Sequence, residues 1–126
     1  MKQKSISELE QQVMDIVWRQ KECSVRAVYE KLQKTKPIAY TTVATLLQRL
    51  EAKGLVSKVE EGKANIYKPR LSKEAYSKSL ATGFLDKFIS SFGNLAISSF
   101  AESIEELPKE KREYFLKLLE HEADTK

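Results

Sequence analysis

One helical pattern constrains the fold of this chain more than any other feature: residues 40–53, YTTVATLLQRLEAK, followed by Gly54. Its apolar side chains recur at i, i+3, i+4 and i+7, the spacing of one helix face: Val43, Leu46, Leu47 and Leu50. Gly54 is the residue type that most easily adopts the left-handed conformation that ends a helix. The pattern therefore predicts a helix whose apolar side faces a core.

The opposite side of this predicted helix carries short polar groups and no acid before Glu51. Hydroxyl, amide and guanidinium groups can hydrogen-bond base edges or phosphates, and short side chains allow a helix to enter a groove of DNA. A surface that is simply solvated is the alternative. Tyr40, at the start of the helix, is a further candidate for DNA binding. We call the opposite side the polar face, and it consists of Thr41, Thr42, Ala44, Thr45, Gln48 and Arg49.

Two shorter helices are predicted before this stretch. Ser7 and Glu10 form the S-x-x-E pattern of a capping box, which predicts a helix that runs to about residue 20. Ser24 is placed to cap a second helix over residues 25–34. The helix of residues 40–53 is therefore the third in the chain.

A β-hairpin is predicted after the third helix. Residues 55–60 and 65–69 have strand patterns and flank a turn at residues 61–64. Three helices followed by a hairpin are the arrangement of a winged helix-turn-helix. We therefore predict a mainly α fold with a small two- to three-stranded β wing, in a winged helix-turn-helix DNA-binding domain over residues 1–71.

Residues 72–126 are predicted to form a C-terminal helical dimerisation domain. Ser72 caps a helix that ends near Gly93, a second helix follows, and Pro108 starts the last one. About 55 residues in three helices cannot easily enclose this many aromatic side chains, because small units bury a low fraction of their surface. A symmetric homodimer is the commonest way to bury such apolar surface. The alternative is that these helices pack against the winged domain of the same chain. The candidate dimerisation residues are Tyr76, Leu80, Phe84, Phe88, Phe92, Phe100, Phe115 and Leu118.

Positive charge is concentrated in the predicted winged domain. Residues 1–71 carry 14 basic and 8 acidic residues, net +6, whereas residues 72–126 carry 8 and 10, net −2. Charge confined to one module favours a polyanionic partner such as double-stranded DNA. The basic side chains on or beside the hairpin are candidate phosphate contacts, although taken alone they could be only solvated: Lys58, Lys63, Lys68 and Arg70.

Several classes of protein are excluded by what the sequence lacks. Cys23 is the only cysteine and His121 the only histidine, so no internal disulfide and no zinc or copper cluster is expected. No Gly-rich phosphate loop and no paired nucleophile and base are present, and we predict no enzymatic activity, no cofactor and no metal. No apolar run approaches the roughly 18 residues of a membrane span, and the first residues lack the apolar core of a signal peptide. We expect a cytoplasmic protein that does not bind a membrane.

Three segments resemble one known family: ISELEQQVMDIVW, YTTVATLLQRLEAKGLV and KVEEGKANIYKPRLS. They are similar to the penicillinase-repressor family of bacterial transcription factors, the BlaI/MecI/CopY group, over nearly the whole chain. The resemblance implies a homodimeric winged-helix repressor that occupies a palindromic operator overlapping a promoter, with the C-terminal helices forming the dimer. By position, the polar face would lie in the major groove, and Lys63 and Asn65 would lie in the wing.

The chain departs from two branches of that family. The copper-responsive branch carries Cys-x-Cys motifs near its C-terminus, and residues 72–126 contain no cysteine, so copper sensing is not expected. In the β-lactam-responsive branch, a sensor-linked protease cuts the repressor at an Asn-Phe bond. The similar position here is Ser99-Phe100, a candidate proteolytic site. A protease with a strict requirement for Asn would fail there, which leaves the inducing signal open.

The mechanism that we predict is steric repression, in which a dimer places two third helices in successive major grooves. Gln48 suits adenine, and Arg49 suits guanine or a phosphate, although Arg49 could equally pair with a neighbouring acid. The alternative function is a winged-helix module that binds a protein without specific DNA binding. The concentration of positive charge in one domain argues against that alternative.

Overall fold

The computed structural model describes the backbone of residues 6–124 and the side chains of residues 6–122. Residues 1–5, on which the expectation about a signal peptide partly rests, lie outside the described residues. No helix in the described part is long and apolar enough to cross a membrane. In chain order the elements are α1 (Glu8–Gln20), β1 (Cys23–Ser24), α2 (Val25–Gln33), α3 (Tyr40–Ala52), β2 (Val56–Glu61), β3 (Ala64–Pro69), α4 (Lys73–Phe92), α5 (Asn94–Glu105) and α6 (Lys109–Asp124).

Hydrogen bonds at the ends of the first helices confirm the predicted starts. The Ser7 hydroxyl accepts from the Glu10 amide at 3.1 Å, and the Ser7 amide donates to the Glu10 carboxylate at 2.8 Å. This reciprocal pair is the capping box, and it satisfies two amides at the start of α1. The Ser24 hydroxyl accepts from the Ala27 amide at 3.1 Å and starts α2. Gly54 follows α3 with a φ of +83°, which a residue without a Cβ adopts at little cost.

A three-stranded antiparallel sheet, in the order β1–β3–β2, forms the wing. β2 and β3 are the predicted hairpin, and Gly62 at its turn has a φ of +62°. The sequence does not predict β1, in which Cys23 pairs with Tyr67 and Ser24 with Ile66. Two residues are too few to produce a strand pattern. The mainly α fold with a small β wing is confirmed.

The core of the first unit lies between α1, α2, α3 and the sheet. The apolar face of α3 is central to it, because Val43, Leu47 and Leu50 have no exposed surface and Leu46 is 4% exposed. Burying a side chain of this size contributes about 1.5–3 kcal/mol. The remaining buried members of this core are Val13, Met14, Val17, Cys23, Val28, Leu32, Leu55, Val56, Tyr67 and Tyr76.

The structure divides into two units, the first ending at Gly83 and the second beginning at Phe84, so that α4 begins in the first unit. Tyr76 is 2% exposed in the core of that unit, with its ring centroid 5.7 Å from that of Trp18. The Trp18 indole N–H donates to the Leu71 carbonyl at 3.0 Å. The structure therefore places Tyr76 in the core of the first unit, whereas its helical spacing groups it with the candidate dimerisation residues. The division also falls later than residue 71, and the assignment of function to residues 1–71 and 72–126 stays a prediction.

The second unit is helical and has almost no core of its own. Among its described residues only Ala96 is buried, with 1% of its surface exposed. Its rings contact one another, with centroids separated by 5.4 Å for Phe84–Phe88, 5.7 Å for Phe88–Phe92 and 6.2 Å for Phe100–Phe115. Much apolar surface nevertheless stays exposed, and the large apolar residues with more than half of their surface exposed are Phe84, Phe92, Leu95, Ile97, Tyr114 and Leu119.

Candidate nucleic-acid interface

The polar face of α3 is accessible along its whole length. Tyr40, the first residue of the helix, is 43% exposed. The division between a buried apolar side and an open polar side is therefore the one that the sequence predicts. Of the polar face itself, Ala44 is half-buried, and the exposed members are Thr41, Thr42, Thr45, Gln48 and Arg49.

A partly buried ion pair anchors the C-terminal end of α3 to α1. Lys53 Nζ donates to Glu10 Oε1 at 2.8 Å, and the Glu10 side chain is only 4% exposed. Burial disfavours the Glu10 carboxylate, but hydrogen bonds from Lys53 and Ser7 outweigh that effect and lower its pKa below the ordinary value. The ion pair and the apolar face together hold α3 in one orientation, which sets the direction of the polar face.

The hydroxyl of Thr45 is already used as a donor. It donates to the carbonyl of Thr41 one turn earlier, at 3.0 Å. Its oxygen can still accept a hydrogen bond, and its methyl group can make an apolar contact. Thr45 therefore suits an amino group of adenine or cytosine, or the methyl group of thymine.

Arg49 has no ion pair with any described residue of the chain. Pairing with a neighbouring acid, the alternative that the sequence leaves open, is thus not observed in the described structure. Its exposed guanidinium can present donors to a phosphate or to the O6 and N7 atoms of guanine. Gln48 is exposed next to it in sequence and offers an amide to a base edge.

The wing presents its basic and amide side chains to solvent. Lys58 on β2, Lys63 at the turn and Asn65 on β3 are exposed. Lys68 lies 3.6 Å from Glu22, measured from Nζ to Oε2, and the two side chains are 44% and 58% exposed. An exposed pair of this kind contributes little stability, so Lys68 keeps most of its capacity to attract an anion.

Arg26 is a basic residue beside the interface that the sequence analysis does not single out. Its guanidinium carbon lies 5.8 Å from the ring centroid of Tyr40. The Tyr40 ring in turn meets the ring of Tyr29 edge-on, with centroids 5.5 Å apart. Arg26 and Tyr29 belong to α2, and only the packing of α2 against α3 brings them to Tyr40. No spacing in the sequence indicates such a contact.

Cys23 lies in the core, away from the exposed polar face. Burial raises the pKa of the Cys23 thiol to about 11, so the group stays protonated and a poor nucleophile near neutral pH. No group of three or more His, Cys, Asp or Glu side chains that could hold a metal ion occurs among the described residues.

The candidate proteolytic site lies within α5. Ser99 is half-buried, and its carbonyl accepts from the Ser103 hydroxyl at 3.0 Å. Phe100 is 37% exposed. The Ser99–Phe100 peptide bond is therefore part of a regular helix, which would have to open locally for a protease to bind the bond in an extended form.

An exposed polar helix, held by a hydrophobic core beside a basic β wing, defines a winged helix-turn-helix DNA-binding protein. A family model described as penicillinase repressor matches residues 6–121, and the chain belongs to this family. The family is one of transcriptional repressors, so the chain is a DNA-binding regulator of transcription and not an enzyme.

Individual relatives and solved structures agree with that assignment. The penicillinase repressor of Bacillus licheniformis is 28% identical over 121 residues, which cover 96% of this chain and 94% of that protein. The methicillin resistance regulatory protein MecI of Staphylococcus aureus is 26% identical over 90% of this chain and 92% of its own length. The solution structure of the monomeric form of Bacillus licheniformis BlaI in complex with the blaP half-operator matches with a TM-score of 0.52 and 31% identity. That match covers 60% of this chain and 92% of the other.

Proposed function

We propose that this protein represses transcription as a homodimer bound to a palindromic operator that overlaps a promoter. The observation that carries the proposal is the exposed polar face of α3 in a unit with a complete core, followed by a unit with almost none. A unit that leaves this much apolar surface uncovered needs a partner surface. A second copy of the same chain supplies one by two-fold symmetry.

The symmetry of the dimer would determine the form of the operator. Two copies of α3 would enter successive major grooves about 34–36 Å apart, so that each half-site is read by one chain. BlaI of Bacillus licheniformis in its monomeric form is complexed with a half-operator, which supports reading by half-sites. A dimer in that position would exclude RNA polymerase from the promoter.

Different side chains would have different tasks on the operator. Gln48 would bind adenine and Arg49 guanine, with Thr45 contacting thymine or an amino group. Lys58 and Lys63 would contact phosphates, which fix position without reading sequence. Tyr40 and Asn65 would lie at the two sides of this contact, at the start of α3 and in the wing.

Selection of bound duplexes from a random pool tests this function. The wild-type chain should recover an inverted repeat with half-sites about one helical turn apart. Thr45→Ala/Gln48→Ala should lose the motif, whereas the control Thr82→Ala/Gln20→Ala, which removes the same side-chain types outside α3, should retain it. Recovery of no motif by the wild type would overturn specific DNA binding. It would favour the protein-binding module.

The oligomeric state can be measured separately by sedimentation at a series of protein concentrations. The wild type should dissociate reversibly on dilution. Leu95→Glu introduces a charge at a side chain that is 63% exposed in the single chain, and it should shift the equilibrium strongly to monomer. A wild type that is monomeric at every concentration would contradict the homodimer.

A sensor-linked protease is the least supported partner, because Ser99 stands where the β-lactam-responsive branch has Asn. We propose that a protease specific for Asn-Phe bonds does not cut this chain between Ser99 and Phe100, and that Ser99→Asn makes that bond cleavable. Incubation of both proteins with such a protease, followed by mass measurement, tests this. Cleavage of the unmodified chain between Ser99 and Phe100 would show that Asn is not required.

A further inference from the structure

Arg26 occupies a defined position at the edge of the candidate interface. Its guanidinium carbon is 5.8 Å from the ring centroid of Tyr40, and Tyr29 supports that ring from the side at 5.5 Å between centroids. Tyr40 is the first residue of α3. The contact therefore places a positive charge of α2 beside the N-terminal end of the helix that carries the polar face.

The charge of Arg26 is not neutralised within the described structure. Arg26 is exposed and has no ion pair with a described residue, although Glu30 lies one turn further along α2. A contact with the face of an aromatic ring leaves the guanidinium N–H groups free to donate. The ring contact thus favours this position of the Arg26 side chain and uses none of its strong donors.

Around it lies a shallow surface depression of about 380 Å³ that Arg26, Tyr29, Glu30, Gln33 and Lys34 line. Two of these side chains are cations and one is an anion. The lining therefore carries a net positive charge, and Arg26 and Lys34 are the groups in it that can contact a phosphate.

We propose that Arg26 binds one phosphate of the operator backbone beside the N-terminal end of α3, and that the Tyr40 ring holds its guanidinium for that contact. The inference rests on the proposed function, because it requires α3 to lie in the major groove. In a helix-turn-helix the helix that precedes the reading helix crosses the DNA backbone, which brings α2 to the phosphates. The planar fork of arginine matches two phosphate oxygens. A phosphate contact of this kind fixes the register of α3 without choosing the base.

The test compares the affinities of the full chain for its selected operator and for an unrelated duplex, each measured over a range of salt concentrations. Arg26→Ala should weaken both by about fivefold at 0.15 M salt and lower the salt slope by about 1. Arg26→Lys keeps the charge, so the salt slope should stay at the wild-type value. Its affinity should lie between that of the wild type and that of Arg26→Ala. The control Lys78→Ala removes an exposed charge from α4 and should change neither quantity appreciably.

The role of Tyr40 needs a double-mutant cycle, because Tyr40 is itself a candidate DNA contact. Tyr40→Leu removes the ring, and its effect should be clearly smaller in the Arg26→Ala background than in the wild type, since the positioned guanidinium is then absent. Equal effects of Tyr40→Leu in the two backgrounds would overturn the coupling between the ring and Arg26.

The outcomes separate this inference from the function on which it rests. If the wild type binds its operator selectively and Arg26→Ala matches Lys78→Ala in affinity and salt slope, the phosphate contact is wrong and the repressor function stands. A loss confined to certain operator sequences would also overturn the phosphate role. If the wild type shows no selective binding, the proposed function fails first, whatever Arg26→Ala does.

Discussion

The two units of this chain carry similar helical stripes of apolar residues and use them differently. In the first unit the stripes of α1, α2 and α3 converge with the sheet on fourteen buried side chains. In the second unit Ala96 alone is buried among the described residues, although its helices are rich in aromatic and aliphatic side chains. An apolar stripe on a helix thus indicates that something covers it. It does not indicate whether the cover comes from the same chain.

The largest expected effect compares one leucine from each unit. Leu47→Ala leaves a cavity at a site with no exposed surface and should lower the free energy of unfolding by about 2–5 kcal/mol. Leu119 is 53% exposed in the single chain, and Leu119→Ala should cost far less at a protein concentration too low for dimers. Urea unfolding of both variants tests the contrast. Equal losses at low concentration would show that Leu119 is buried within a core of the second unit.

A smaller effect is expected from the partly buried ion pair of Glu10 and Lys53 in the first unit. Glu10→Gln removes the charge that Lys53 faces, and we expect a loss of about 2 kcal/mol, less than for a fully buried pair because Lys53 is 25% exposed. The pKa of Glu10 is lowered by folding, so its contribution is fully present above the ordinary value of 4.5. It is lost as the pH falls from there through the lowered pKa.

Acid unfolding therefore distinguishes Glu10 from other carboxylates. The difference in stability between the wild type and Glu10→Gln should be constant near neutral pH and should shrink below pH 4.5. Glu60→Gln, at an exposed carboxylate on β2, should stay within about 0.5 kcal/mol of the wild type. If the stability difference between the wild type and Glu10→Gln instead grew on acidification, folding would raise the pKa of Glu10, contrary to this prediction.

A variant of the second unit tests whether its exposed apolar residues form the predicted dimer interface. Leu119→Ala should weaken self-association about tenfold, which corresponds to about 1.4 kcal/mol, because an apolar contact across the interface is lost. Sedimentation equilibrium measures this directly. Leu47→Ala should not alter the dimer constant under conditions in which it is folded. Unchanged association of Leu119→Ala would remove that side chain from the interface.

The smallest expected effect concerns the Trp18 indole. Trp18→Phe keeps an aromatic ring beside Tyr76 but removes the N–H that donates to the Leu71 carbonyl, at a cost of about 1 kcal/mol. Because both partners belong to the first unit, thermal unfolding should show the same loss at every protein concentration. A loss that varies with concentration would mean that the bond supports the dimer.

The regular elements could be predicted because each rests on local chemistry. The capping box of Ser7 and Glu10, the Ser24 cap and the apolar stripe of α3 each lie within a few consecutive residues, and the structure has α1, α2 and α3 at those places. The exposure of the polar face could be predicted from the same stripe, because the helical period places these residues opposite the buried apolar side. Contacts between distant segments could not be predicted in this way.

Tyr76 and Arg26 illustrate the limit. Tyr76 continues the four-residue spacing of Leu80 and Phe84, which predicts a place on their surface, but packing against Trp18 puts it in the first core. No pattern in the sequence around Arg26 marks it as part of the interface. Only the packing of α2 against α3 places its guanidinium over the Tyr40 ring. The partner of β1 likewise lies some forty residues away, at Tyr67 and Ile66.

The sequence by itself determined which residues form helices, where the hairpin turns, which side of α3 is polar, and the family to which the chain belongs. These properties depend on periodicity, caps and residue types that act over a few positions. The tertiary structure alone decided that α4 begins inside the first core, that Glu10 holds the end of α3, and that Arg26 stands beside its start. Each depends on the path of the chain through space, because side chains far apart in sequence meet only when whole elements pack together.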